Sequence, residues 1–133
     1  MRYLRLLPTA ILAGFLSLHG IVPASAATAA PFTEAAFKSA QADGLPILVD
    51  ISAPWCPTCA QQKPIIDSLA ATPAFARLVI LQVDFDTQKD VVRAMGARMQ
   101  STLIVFHGGT LKGVSVGDTD AVSIKALLDK SRN

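Results

Sequence analysis

Trp55-Cys56-Pro57-Thr58-Cys59 contains both cysteines of the 133-residue chain, separated by two residues. The preceding segment, residues 45–51, is apolar and rich in β-branched side chains over the length of a strand. The following segment, residues 60–69, has a helix-forming composition. The dithiol therefore lies where a buried strand gives way to a helix.

This position suits redox chemistry. The first thiol is expected to cap the helix, where unpaired N–H groups and the positive end of the dipole favour an anion. Helix N-termini in such motifs lower the pKa of a cysteine from about 8.5 into the range of about 3.5 to 7.5, and the thiolate is the attacking species. The second thiol, one turn further in, can resolve the mixed disulfide made by the first. The pattern indicates a redox site.

Other kinds of site stay open at this point. A structural disulfide here would close a four-residue loop, which restrains the unfolded chain very little. A metal site needs more ligands than two sulfurs, and the only histidines are His19 and His107. Copper(I) is the metal that two soft thiolates would suit best.

Residues 1–26 have the three parts of a secretory signal. Arg2 and Arg5 supply the positive start, residues 6–18 are largely apolar, and Ala24-Ser25-Ala26 is a small-residue cleavage site. An uncleaved membrane anchor is the alternative. The sequence therefore predicts a signal peptide over 1–26 and one domain over 27–133.

The predicted signal also carries the excess of positive charge. The chain has 12 Lys and Arg against 10 Asp and Glu. Removing Arg2 and Arg5 leaves the two signs balanced, so we expect no nucleic-acid partner. We also expect no cofactor.

The order of elements along the rest of the chain is α-β-α-β-α-β-β-α. Two early strands joined through a helix imply a parallel pair with a right-handed crossover, and a closing hairpin adds antiparallel strands. The expected class is α/β, with a mixed sheet of about four strands and helices on both faces. Residues 27–31 are expected to be a flexible lead with no strand. The expected elements are helix 32–42, strand 47–51, the dithiol helix, strand 78–85, helix 90–97, strands 103–106 and 112–116 joined at Gly108-Gly109, and a last helix from Thr119 or Asp120.

At this point the chain resembles the thioredoxin family over nearly all of residues 27–133. The family's redox signature is Trp-Cys-x-x-Cys after a strand that ends in Asp, which Trp55–Cys59 and Asp50 match. Further matches are the helix-kinking Pro64, the strand end Asp84-Phe85-Asp86, the run Thr102 to Phe106 with its glycine turn, and Gly117. The resemblance implies a thioredoxin-like fold and a protein thiol-disulfide oxidoreductase that acts on protein disulfide substrates.

The resemblance also implies roles for single residues. Cys56 would be the attacking thiol and Cys59 the resolving one. Asp50 would be a buried carboxyl with a raised pKa that relays a proton to or from Cys59. The expected substrate-docking residues are Trp55, Pro57, Thr58, Gln100, Ser101 and Thr102.

Two positions depart from the family pattern. Ser101 occupies the place of a cis-proline that faces the dithiol, so this peptide is either a strained cis bond or trans with a remodelled groove. Gln82 stands where many thioredoxins have a lysine near the buried carboxyl. Without that cation, Asp50 is expected to keep its proton to higher pH.

The dipeptide Pro57-Thr58 lacks the histidine of strongly oxidising relatives, which favours a reductase. We expect an exported, periplasmic, monomeric reductase that is recharged by a membrane electron donor of the thiol-transporting type. Two alternatives are a reductant of cytochrome c maturation, because Cys-Pro-Thr-Cys occurs in such thioredoxins, and a copper(I) carrier. The chain lacks the insertion that is typical of the first group.

Overall fold

The computed structural model describes residue 27 and residues 29–133, so the predicted signal peptide lies outside the described residues. The described chain forms five strands, four α-helices and one 3-10 helix. Their bounds are β1 Ala29–Pro31, α1 Glu34–Ala42, β2 Pro46–Ser52, α2 Pro57–Ala70, the 3-10 helix Pro73–Phe75, β3 Val79–Asp84, α3 Lys89–Ala94, β4 Thr102–His107, β5 Thr110–Val116 and α4 Ala121–Lys130.

The five strands form one mixed sheet in the order β1-β3-β2-β4-β5. β3 runs parallel to both β1 and β2, whereas β4 runs antiparallel to β2 and to β5. The expected α/β class, with a parallel pair followed by an antiparallel hairpin, is confirmed. β2 lies at the centre, and its carboxyl end leads into the dithiol.

The expectation that no strand precedes the first helix was wrong. Ala29–Pro31 pairs in parallel with β3, and Ala30 lies opposite Leu81. Three residues of small side chains and proline carry no alternating pattern, so the pairing follows from the free edge of β3 rather than from local sequence. The sheet therefore has five strands, one more than the expected number of about four, and the expected fold class stands.

Both faces of the sheet are buried, which explains why β2 reads as a continuous apolar run. Leu48 packs on one face with side chains of α2 and α4. Ile47 and Val49 pack on the other face with side chains of α1 and α3. Because successive strand residues alternate between faces, Asp50 shares the α2 face with Leu48.

Side chains cap the starts of α1 and α4. Thr33 accepts a hydrogen bond from the amide of Ala36 at the start of α1, and Asp120 accepts one from Ser123 at the start of α4. Pro64 lies inside α2. Within the described part of the chain, no helix combines the length and apolarity needed to cross a bilayer.

The hairpin between β4 and β5 turns on the expected pair Gly108-Gly109, since His107 pairs directly with Thr110. Gly108 has φ +52, in the left-handed region, and a Cβ placed there would lie 3.2 Å from the carbonyl oxygen of Gln41. A Cβ at Gly109 would meet nothing within 4 Å. The two neighbouring glycines are thus under different constraints.

Gly108→Ala is expected to lower the free energy of unfolding by about 1–3 kcal/mol, because alanine meets both backbone strain and a backbone contact. Gly109→Ala is the matched control and should stay within about 0.5 kcal/mol of the parent protein. Urea unfolding followed by circular dichroism measures both values. Equal effects of the two substitutions would contradict this account of the turn.

Candidate active site

The dithiol is positioned by the junction between β2 and α2. After Ser52 the chain makes a tight turn in which the amide of Cys56 donates to the carbonyl of Ala53 at 3.1 Å. Cys56 is the N-cap of α2, with extended backbone, and its Sγ accepts a hydrogen bond from the amide of Cys59 at 3.0 Å. A sulfur thus takes the place that a side-chain oxygen fills at most helix starts.

Cys56 and Cys59 are joined by a disulfide, with their Cα atoms 5.3 Å apart. The residues are 3% and 8% exposed, so exposure does not decide which sulfur a substrate reaches first. Both cysteines line a cavity of about 490 Å³ that also contains Asp50, Lys63 and Gln82. The sulfurs are therefore adjacent and reach a groove, as a redox pair requires.

Asp50 lies beneath the start of α2 and is 8% exposed. Removal from water raises its pKa from 3.8 to about 6, because burial disfavours the charged carboxylate. A hydrogen bond from the side chain of Gln82, which pairs with Asp50 on the adjacent strand β3, lowers the pKa and so opposes this shift. The pKa of this carboxyl therefore lies closer to neutral pH than that of an exposed aspartate, so the group can both take up and release a proton.

A cation does lie near this carboxyl, although it comes from a different element than the family pattern suggests. Lys63 follows Cys59 by four residues on α2, lines the same cavity and lowers the pKa of Asp50. Its Nζ donates to Asp67 at 2.7 Å, and the Asp67 charge raises the pKa of Asp50. The sequence interpretation missed Lys63. The signal was available, because positions four residues apart share a helix face.

Trp55 is 58% exposed beside the dithiol. Its Nε1 donates to Oδ2 of Asp86 at 2.7 Å, which holds the indole at the end of β3. The sequence placed Asp86 at the end of a strand but gave it no role. This hydrogen bond leaves much of the apolar face of the Trp55 indole exposed to solvent next to the sulfurs.

The other expected docking residues differ in exposure. Pro57 is exposed, and Thr58 and Gln100 are half-buried, whereas Ser101 and Thr102 are buried. The buried hydroxyls donate to main-chain carbonyls, Ser101 to Gln100 at 2.6 Å and Thr102 to Met99 at 2.7 Å. Because these hydroxyls are already engaged, a substrate would contact the main chain of this loop rather than its side-chain hydroxyls. The docking role stays a prediction.

The peptide before Ser101 is trans, because the described residues contain no cis peptide bond. Ser101 instead has φ +57, the only positive φ among the described residues other than glycine. Of the two possibilities left by the sequence, the trans peptide with a remodelled loop is the one present. No group of three or more His, Cys, Asp or Glu in the described part of the chain is placed to hold a metal ion.

Asp50→Asn is expected to stabilise the oxidised protein above about pH 6. In the parent, the folded state binds the Asp50 proton more tightly than the unfolded state, so stability falls as pH rises from about 3.8 through about 6. A shift of this size corresponds to about 3 kcal/mol at neutral pH. Urea unfolding at about pH 4 and about pH 7.5 measures the difference, which should be much smaller at the lower pH.

Asp84→Asn, on the neighbouring strand, is a control in which the change in stability is expected to have the opposite sign. Backbone hydrogen bonds from Thr87 and Asp86 lower the pKa of Asp84 below 3.8, so its charge stabilises the folded state above that value and the benefit is lost in acid. The asparagine variant should therefore be less stable than the parent at neutral pH. If Asp50→Asn shifts stability in the same direction, the burial argument for Asp50 is wrong.

Lys63→Met is expected to raise the pKa of Asp50 above about 6, and Asp67→Asn to lower it, because the two charges act on the carboxyl with opposite signs. The carboxyl carbon shift of Asp50, followed by NMR against pH in the oxidised protein, measures both changes. Lys125→Met is the matched control, since Lys125 and Asp129 form an i,i+4 pair at the same 2.7 Å on α4. If the pKa of Asp50 moved in the same direction in Lys63→Met and Asp67→Asn, the opposite effects assigned to these two charges would be contradicted.

Comparisons with known proteins agree with this geometry. Residues 28–130 match the family model described as Thioredoxin. Thioredoxin 1 of Nostoc sp. is 31% identical over 103 residues, 77% of this chain and 95% of that protein. Thioredoxin of Pseudomonas aeruginosa is 31% identical over 99 residues, 73% of this chain and 90% of that protein.

A solved structure is also similar. The crystal structure of Trxlp from Edwardsiella tarda EIB202 superposes with a TM-score of 0.74 at 39% identity, covering 76% of this chain and 98% of that one. The family match, the sheet order and the disulfide at the start of α2 agree with one another. The chain belongs to the thioredoxin family of protein thiol-disulfide oxidoreductases.

Proposed function

We propose that this protein is an exported thiol-disulfide reductase in which Cys56 attacks the disulfide of a substrate protein and Cys59 completes the exchange. The observation that carries the proposal is the position of Cys56 as the N-cap of α2, with the amide of Cys59 donating to its sulfur. The amide of Cys59, the other unpaired N–H groups of the first helical turn and the helix dipole stabilise a thiolate at Cys56 more than a thiol. Cys56 is then both the nucleophile and the better leaving group.

The exchange proceeds in two displacements. The Cys56 thiolate attacks one sulfur of the substrate disulfide, that bond breaks, and the other substrate sulfur leaves as a thiolate that takes a proton from water. The Cys59 thiolate then attacks Sγ of Cys56 and releases the second substrate sulfur. Two electrons have passed from the dithiol to the substrate. The Cys56–Cys59 disulfide is the product state of this cycle.

Asp50 is proposed to take the proton from Cys59 before the second displacement. Both residues line one cavity, and burial raises the pKa of the carboxyl to about 6, so it is half-ionised at about pH 6 and mostly an ionised base at neutral pH. A base with a pKa near the working pH is the most effective proton carrier. The route from Cys59 to Asp50 passes through the cavity, either directly or by way of a water.

The direction of electron flow follows from what surrounds Cys56. Pro57 and Thr58 lie between the cysteines, and neither side chain is a cation that would favour the thiolate further. A reduced form that is less stabilised makes a stronger reductant. A reductant in an oxidising compartment needs a supply of electrons, which we assign to a membrane donor of the thiol-transporting type.

Export is proposed from residues 1–26, whose charged start, apolar stretch and small-residue end are those of a secretory signal. The family match begins at residue 28, directly after the expected cleavage site, which supports a separate leader. The compartment proposed is the bacterial periplasm, and the mature domain is proposed to act as a monomer.

Two narrower functions would use the same residues. A role in cytochrome c maturation is suggested by Pro57-Thr58, and a copper(I) carrier by the two adjacent sulfurs. Anaerobic titration of the reduced protein with copper(I), compared with Cys56→Ala, tests the carrier. Tight 1:1 binding that is lost in the variant, without disulfide exchange, would replace the reductase proposal.

The reductase proposal is tested by the reduction potential of the Cys56–Cys59 couple and by serine variants. We expect a potential near about −270 mV, and a value near about −120 mV would reverse the direction. Cys56→Ser should abolish the reduction of insulin by the dithiol. Cys59→Ser should stop at a mixed disulfide with insulin, visible by mass spectrometry, because the resolving thiol is gone. Mixed disulfides that form at Cys59 in the Cys56→Ser variant with equal yield would overturn the assignment of the nucleophile.

A further inference from the structure

Ser101 is held in a backbone conformation that serine does not favour. It lies at the entry to β4, where its neighbour Thr102 pairs with Ile51 at the end of β2 that leads to the dithiol. Its φ of +57 is in the left-handed region, where a Cβ crowds the main chain and only glycine is at ease. The loop at this end of the sheet therefore needs something to hold it.

The holding contacts converge on the carbonyl of Ser101. It accepts the amide of Gly117 at 2.9 Å and the side-chain Nε2 of Gln62 at 3.3 Å. The same Nε2 donates to the carbonyl of Asp118 at 2.8 Å. One amide thus ties the dithiol helix to the loop before β4 and to the segment after β5.

Gln62 is a buried polar residue on the dithiol helix. It lies three residues after Cys59 on α2, is 1% exposed, and its Oε1 has no hydrogen-bond partner among the described residues. Turning the amide over would set its oxygen against two carbonyls, so the two acceptors fix its orientation. A buried oxygen without a partner disfavours the folded state, and a methionine would avoid that cost. What glutamine adds is the pair of donations from Nε2.

We propose that Gln62 is a positioning residue that holds Ser101 in its left-handed conformation and so shapes the loop on which a protein substrate docks. The inference rests on the proposed function, because it assigns part of substrate recognition to the same site. The hydrogen bonds of Gln62 go to the carbonyls of Ser101 and Asp118 and not to the reacting sulfurs. Its loss should therefore weaken the binding of a protein disulfide and leave the chemistry of the dithiol in place.

The test compares Gln62→Met with Gln61→Met, a matched change at the neighbouring exposed glutamine. Insulin and the small disulfide DTNB are the two substrates. We expect Gln62→Met to raise the KM for insulin at least about fivefold, with kcat and the DTNB rate within about twofold of the parent. Gln61→Met should match the parent in all three. An insulin KM within about twofold in Gln62→Met overturns the proposal, as does an equal loss with DTNB, which would place the defect at the dithiol.

Stability provides a second test that does not depend on activity. Glycine adopts φ +57 without strain, so the fall in Tm caused by Gln62→Met should be smaller in a Ser101→Gly background than in the parent. Additive Tm shifts overturn the proposal. If Gln62→Met alone does not fold, the double variant should fold, and failure of both would assign Gln62 to helix packing instead.

Hydrogen exchange separates this inference from the proposed function. The amide of Gly117 donates to the carbonyl that Gln62 holds, so its exchange should be faster in Gln62→Met than in Gln61→Met. This result can hold even if the parent reduces neither disulfide, in which case the reductase proposal fails and the positioning role survives. Unchanged exchange at Gly117 would contradict the positioning role while leaving the reductase proposal intact.

Discussion

The start of α2 is the constraint on which the rest of the site depends. The first turn of a helix has N–H groups without partners, and here the sulfur of Cys56 accepts one of them from Cys59. In the proposed mechanism capping and reactivity are one interaction, because the sulfur that caps the start of the helix is also the one that its amides would stabilise as a thiolate. β2 leads directly into this helix, so the position of the sheet fixes the position of the Cys56 sulfur.

A buried carboxyl beneath that helix is the main cost of the arrangement. Asp50 lies on the face of β2 that otherwise carries the apolar core, with Leu103 across β4 and Gln82 across β3. Core burial raises its pKa, and the nearby charges of Lys63 and Asp67 pull that pKa in opposite directions. The ionisation of the Asp50 carboxyl therefore changes with pH around its pKa of about 6. Stability is given up at the position where the proposed mechanism moves a proton.

Much of the fold could be read from local sequence because its signals are local. The apolar run of β2, the capping side chains of Thr33 and Asp120, and the turn at Gly108 each act within a few residues. β1 could not be read this way, since its pairing with β3 depends on an edge formed by residues about fifty positions away.

The site divides in the same way. The position of the dithiol follows from the chain order of strand, cysteines and helix, and Asp50 was indicated by the resemblance to the thioredoxin family. The partner of Trp55, the cation near Asp50 and the trans peptide before Ser101 follow from neither. Each of these depends on which side chains tertiary packing brings together. A substitution at a family position, such as Ser101 for proline, signals that something has changed without saying what compensates for it.

The compensation is found on α2 itself, because consecutive residues of a helix face different neighbours. Cys59 and Lys63 are four residues apart and look onto the cavity that contains Asp50. Gln62, one position before Lys63, turns toward the carbonyls of Ser101 and Asp118. The helical turn after the dithiol therefore contacts both sides of the site, the cavity that contains Asp50 on one side and the loop before β4 on the other. In this chain the loop that lacks the family's proline is tied to that turn by the two hydrogen bonds of Gln62.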